Sequence, residues 1–282
     1  MELKIRIMNE ISKIFMNELD FRTYLEDISN FKNQKYYNLI AIRCAAPAAT
    51  HVRTERLWLR DGIQIRYPYK RIPVFVGDAA ERFFDPLSRG ITVDSENFLT
   101  TDLYDISATD AADLDWRTKS NKIKDKEGFY AQLCWFFHQD PDPSDQLIDE
   151  KIGSILNDQL AKKIQKKSLN DLEAEMILKG CLYTLSYHYG LDLELDFSAF
   201  HLVSSPTITF YRSRYYASLL CKTSRSFMQL ITACQKEYKQ KEEIEQIKEE
   251  VKKSVEEKMA SQTFYEKIRN FFSSPKSNYM KN

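Results

Sequence analysis

Glu55–Gly77, ERLWLRDGIQIRYPYKRIPVFVG, sets alternating apolar and charged residues on both sides of Asp61-Gly62. Alternation at period two is the signature of a half-buried strand, and Asp-Gly supplies the positive φ that a tight hairpin turn requires. The stretch therefore predicts strands over about 55–60, 63–68 and 72–76, and KYYNLIAIRC just upstream predicts another over 36–44, rich in β-branched and aromatic residues. These segments form a small antiparallel or mixed sheet.

Helical spacing surrounds that sheet. Met8, Ile11, Phe15 and Leu19 recur at three and four residues, and a second helix with Phe21, Tyr24, Leu25 and Ile28 inward follows Asp20, a capping side chain. From Glu127 onward helices are expected over about 127–138, 144–166 and 169–189, the last stopped by Gly190. LDLELDF, Leu191–Phe197, alternates and predicts a strand returning to the sheet, TITFYRS is a second candidate strand, and another helix starts near 213. Residues 94–115, acidic and weakly periodic, read as a long loop. The fold class expected is α+β: a small sheet with flanking helices in the N-terminal half, a helical second half and a long charged C-terminal helix. The expected organisation is 1–120 as an α+β region, 121–235 as a mainly helical domain or the second half of a single one, 236–272 as a charged amphipathic helix and 273–282 as a disordered tail.

Composition removes several functional classes. Forty-one basic and 41 acidic residues cancel, so no global field draws the chain to nucleic acid, and nucleic-acid binding is not favoured. No apolar run approaches a membrane span, and MELKIRIMNEISKIF, interrupted by charges, is unlike a signal peptide. A cytoplasmic protein is expected. The seven glycines stand ten or more residues apart, which removes the glycine-paired loops that cradle dinucleotides and phosphates. None of the four histidines precedes a glutamate, so zinc-protease and deaminase signatures are missing. Five scattered cysteines read as reduced thiols, and no cofactor is indicated.

Three groups of residues remain as sites. In CWFFHQDPDPSDQ, Cys134 and His138 fall one helical turn apart, with Asp140 just beyond. Cys134, His138, His188 and Asp140 are the candidate catalytic set, a thiol needing an imidazole to make the thiolate. Cys134, His138, Cys181 and His188 are the alternative zinc ligands. Asp140/Asp142 and Asp113/Asp115 resemble the paired aspartates that hold metal and sugar nucleotide in glycosyltransferases, although the prolines around Asp142 favour a turn.

Arg53, Arg56, Arg60 and Arg66, interleaved with Trp58 and Tyr67, are the candidate anion- or partner-binding face. Guanidinium groups pair with phosphate or carboxylate and aromatics stack. The competing expectation, preferred, is that these arginines pair with the protein's own acidic 94–115 segment.

The third group is KEYKQKEEIEQIKEEVKKSVEEKM, with eight Glu and seven Lys, whose apolar residues Ile244, Ile247, Val251, Val255 and Met259 step by three, four, four and four. That spacing fits a straight helix with one apolar stripe better than a heptad coiled coil. A solvated helix lying on its own domain competes with docking to another chain. The paired glutamates 242–243, 249–250 and 256–257 resemble the glutamate-rich translocation signals of type IV secreted bacterial effectors. That resemblance covers only the last fifth of the chain and implies delivery into a host cell. The sequence points first to a non-catalytic protein–protein interaction module, an adaptor or complex subunit, and second to an enzyme whose site is assembled from distant Cys, His and Asp residues.

Overall fold

In α1 (Glu2–Ile14) the buried side chains are Ile7, Ile11 and Ile14, at helical spacing. The chain turns after Phe15, so Leu19 opens a new helix and is exposed rather than continuing the inward face. The computed structural model describes residues 2–66, 70–77, 80, 83–84, 98–112, 122–204 and 210–273. Helix α2 (Glu18–Asn30) buries Phe21, Tyr24, Leu25 and Ile28 as expected. Its cap is Asn17 instead of Asp20: the Asn17 side-chain Oδ1 accepts the Asp20 amide at 2.8 Å.

The expected strand at 36–44 is a helix, α3 (Tyr36–Ala45). Tyr36 to Ile42 are all buried, so the segment is apolar on every side and carries no period by which helix and strand can be told apart. It packs against α1, α2 and strand β2 (Ile72–Val76). Asn38 bridges helix to sheet with both halves of its amide: Nδ2 donates to the Phe75 carbonyl at 2.9 Å and Oδ1 accepts the Phe75 amide at 3.0 Å. One side chain thereby satisfies the backbone of an edge strand.

The sheet has three strands in the order β1 (Val52–Arg53), β3 (Leu99–Asp105), β2, both pairs antiparallel. Ile72 faces Leu103 and Val74 faces Thr101 across one ladder, and Val52 faces Asp105 across the other. β3 comes from the segment expected to be a loop. Its burial runs from exposed at Leu99 to buried at Leu103–Asp105 and never alternates, which hid it from periodicity.

The expected strand at 55–60 is helix α4 (Glu55–Arg60), and Asp61-Gly62 closes that helix instead of turning a hairpin. Gly62, at φ +76, donates to Leu59 at 3.0 Å and the Ile63 amide donates back to Trp58 at 3.0 Å. This is a glycine helix stop. The expected strand at 63–68 contributes a single bridge, Ile65 to Thr109, with Tyr67 and Pro68 outside the described residues. Trp58 is fully buried in a small core with Ile63, Tyr104, Ile106 and Ala111, and its Nε1 donates to the Tyr104 carbonyl at 3.0 Å.

The second half is helical: α5 (Lys126–Phe137), α6 (Ile148–Ile164), α7 (Asp171–Tyr189), α8 (Ser198–Val203) and α9 (Phe210–Ser273). A capping box between Asn170 and Glu173 opens α7, and Gly190 at φ +71 ends it. LDLELDF keeps its period, with Leu191 and Phe197 buried and Leu193 and Leu195 partly so, but pairs with no strand. Leu193 lies over Gly153 of α6, where an added Cβ would come within 2.9 Å, and the Asp192 amide donates to Asp149 Oδ2 at 2.9 Å. In TITFYRS, Phe210–Ser213 begin α9, and 205–209 fall outside the described residues.

The chain divides into two compact units, Met1–Ile231 and Thr232–Asn282. Within the first, α7 packs against α2, α6 and α8. The residues of α9 up to Ile231 belong to the same body, Tyr24 donating its hydroxyl to the Ala217 carbonyl at 2.8 Å. Replacing Trp58 by Ala empties the centre of the small core and removes the Nε1 bond to the Tyr104 carbonyl. Unfolding in urea should show a loss of about 3–5 kcal/mol.

Candidate functional site

The Cys134–Asp140 stretch is a helix end. Asp125 caps α5 through the Gly128 amide at 2.9 Å, and the helix buries Phe129, Tyr130, Leu133 and Cys134. His138 stops it in the left-handed region, φ 52, and its amide donates to the Cys134 and Trp135 carbonyls. No other non-glycine residue among those described takes a positive φ. Asp140 is exposed. Asp142 accepts the Ser144 amide and hydroxyl, both at 2.9 Å, and its own amide donates to the Tyr130 hydroxyl at 2.7 Å. Those Ser144 bonds hold its carboxyl below the ordinary aspartate range. The prolines and aspartates here make a turn. Asp113 and Asp115 lie outside the described residues.

His188, the third catalytic candidate, is buried on α7 with Nδ1 3.0 Å from Ser29 Oγ of α2. Burial, with help from Lys32, pushes its pKa down to about 4, so the ring is neutral near pH 7. Cys181 lies beside Ser224 and Lys163, and burial pushes its thiol up to about 12. Among the described residues no three His, Cys, Asp or Glu side chains converge as a metal would need. Cys134, His138, Cys181 and His188 thus do not form the alternative zinc site.

Two arginines of the candidate face share one acidic partner. Arg53 pairs with Asp61 and lies 5.1 Å over the Trp58 ring, and Arg60 Nε reaches Asp61 at 3.5 Å. Arg56 is exposed, and Trp58 is core instead of surface. Pairing with the acidic segment occurs in places: Arg71 meets Asp102 at 3.5 Å, and Arg66 donates to the Asp110 carbonyl at 3.1 Å. Asp105 is spent on backbone, accepting the Thr50 and His51 amides at 2.9 Å and the Ser107 amide and hydroxyl at 3.1 and 2.6 Å. Tyr67 is outside the described residues.

Several charged clusters went unseen in the sequence because their members are far apart along it. Glu173 of α7 accepts from Arg212 and from the Tyr216 hydroxyl while also capping its own helix, and these bonds overcome burial to lower its pKa. Lys163 of α6 donates to Ser226 Oγ at 2.6 Å and lies 5.2 Å over the Phe227 ring. Asp27 of α2 is partly buried, with Oδ2 lacking a hydrogen bond among the described residues. Arg43 approaches it only to 3.9 Å while pairing with Asp20 at 2.7 Å, so burial dominates and pushes Asp27 up to about 7.

Thr232–Asn282 is different in kind. Ile244, Ile247, Val251, Val255 and Met259 all stand on α9 with 49–63% of their surface exposed. On this stretch Lys241 Nζ forms an ion pair with Glu245 Oε1 at 3.7 Å. No helix among the described residues is long and apolar enough to cross a membrane. Comparison with known proteins finds no matching family model, no matching curated protein and no matching solved structure.

Two measurements probe these groups. A carboxyl whose folded pKa exceeds its unfolded value favours folding in full below about pH 4 and loses that contribution as pH rises through about 7. Asp27→Asn should therefore match the wild type in urea stability near pH 4 and exceed it at pH 8. His188 has the opposite slope but is common to both proteins and cancels. Separately, burial raises Cys181 to about 12 and Cys221 and Cys234 to about 11. A disulfide reagent at pH 8 should label these three only after unfolding, and fast native labelling of Cys181 would contradict that burial.

Proposed function

We propose that this protein is a non-catalytic protein–protein interaction module, docking through the α9 stripe Ile244, Ile247, Val251, Val255 and Met259. One observation carries the reading: five large apolar side chains, each about half exposed, step along a stretch of helix otherwise dominated by Lys and Glu. A contiguous apolar strip with a charged rim is what a helical interface presents.

The spacing says what fits it. Four steps cover fifteen residues, about 3.75 per turn against 3.6, so the stripe drifts by about 60° along the helix. Such a drift suits a nearly straight or right-handed pairing of helices and not a left-handed heptad supercoil. With eight Glu and seven Lys around it, the rim selects neither an acidic nor a basic partner. A second copy of the same helix has this balance of charge.

The experiment is sedimentation of the full chain over a wide concentration range, with Ile247→Glu/Val251→Glu beside it. The expected result is a concentration-dependent dimer in the wild type and a monomer of unchanged melting temperature in the variant, because the substituted positions are exposed. Monomers throughout would overturn the self-pairing.

A further inference from the structure

Arg214 stands one turn into α9 and is only 4% exposed. Its Nη1 donates to the Phe83 carbonyl at 3.2 Å, while Nε and Nη2 are buried and have no hydrogen-bond partner among the described residues. Those two nitrogens form one edge of the guanidinium, the fork whose parallel N–H groups match two oxygens of a carboxylate or phosphate. The empty edge contrasts with Arg212, two residues earlier, whose guanidinium bonds both Glu173 and the Tyr216 hydroxyl. An unpaired guanidinium is among the most unfavourable groups to bury, and in native proteins such a charge has a counter-ion.

Its position on the helix says where that counter-ion sits. Side chains on an α-helix lean towards its N-terminus, and the Arg214 Cζ lies 5.6 Å from the Phe210 ring centroid and 5.4 Å from that of Tyr211. The guanidinium is folded back over the first turn. There the helix dipole is positive and the leading amides have no acceptor within the helix. Ser213, also fully buried, holds a hydroxyl without a hydrogen-bond partner among the described residues in the same turn.

We propose that the N-terminus of α9 and the Nε/Nη2 edge of Arg214 form a binding site for a phosphate-class oxyanion. A carboxylate would spend both oxygens on the fork. A phosphate keeps oxygens for the helix amides, which favour that chemistry at helix starts. The site is separate from the exposed stripe and does not depend on the interaction-module reading.

The test is thermal unfolding of the full chain in inorganic phosphate, in acetate and in sodium chloride at matched ionic strength, for wild type, Arg214→Met and Arg214→Lys. Phosphate stabilises any fold by exclusion from its surface, so the difference between proteins is the readout. In chloride, Arg214→Met should melt at or above the wild type, since an unpaired buried charge has been removed. Phosphate should raise the wild-type Tm beyond the rise in the Met variant. Arg214→Lys, which keeps the charge without the fork, should bind phosphate about tenfold more weakly. An equal phosphate response in wild type and Met variant would overturn the site, and acetate as effective as phosphate would overturn its assignment to phosphate. If Arg214→Met does not fold, the linewidth of the phosphate ³¹P resonance with wild-type protein decides: broadening that excess sulfate relieves supports the site, and its absence overturns it.

Discussion

Gly180, in the middle of α7, is the place where three helices close on one another. A Cβ there would come within 2.7 Å of Leu220 of α9, 3.3 Å of Phe21 and 3.4 Å of Leu25 of α2. Glycine inside a helix costs about 1 kcal/mol relative to alanine, and here it permits an approach no side chain would allow. Polar ties join the same three helices. Tyr24 donates to Ala217, Ser29 meets His188, and Glu173 holds Arg212 and Tyr216. Each joins α7 or α9 to an element distant in sequence, and each is near enough to bond because the helices pack this closely.

The charges inside this body divide by whether their geometry is complete. Asp105 has its carboxylate bonded on both oxygens, and Glu173 accepts from several donors, so each is a fastening. Asp27 and Arg214 are incomplete, the first lacking a hydrogen bond on one oxygen and the second on one edge of its fork. The two respond differently to incompleteness. A carboxyl can take up a proton, as the raised Asp27 pKa records, whereas a guanidinium cannot shed its charge at any ordinary pH and must find an anion.

How far the candidate sites were legible follows from the same distinction between local and distant. Cys134 lies on α5 and His138 just past its end; the sequence spacing placed them together, but spacing could not say that His138 stops the helix in a left-handed turn while Cys134 faces the core. Ser29 and His188 are 159 residues apart and carry no shared signal. The arginines of 53–66 were conspicuous in sequence, yet reading them as one face assumed strands. Once 55–60 is a helix, Trp58 turns inward and Arg53 folds over it.

The amphipathic helices, the Gly190 stop and the apolar stripe from Ile244 to Met259 were determined by the sequence alone, because capping and helical period are contacts between residues one turn apart. Only the tertiary structure decided the state of the segments with no period of their own. α3 is apolar all round and fits helix or strand equally; its position against α1, α2 and β2 makes it a helix, with Asn38 closing the sheet edge. β3 is buried at one end and exposed at the other, and becomes a strand because β1 and β2 supply the partners for its backbone. LDLELDF alternates like a strand but finds a helix, not an edge, beneath it. Strand hydrogen bonds need a second chain segment, and a one-dimensional pattern does not contain its address.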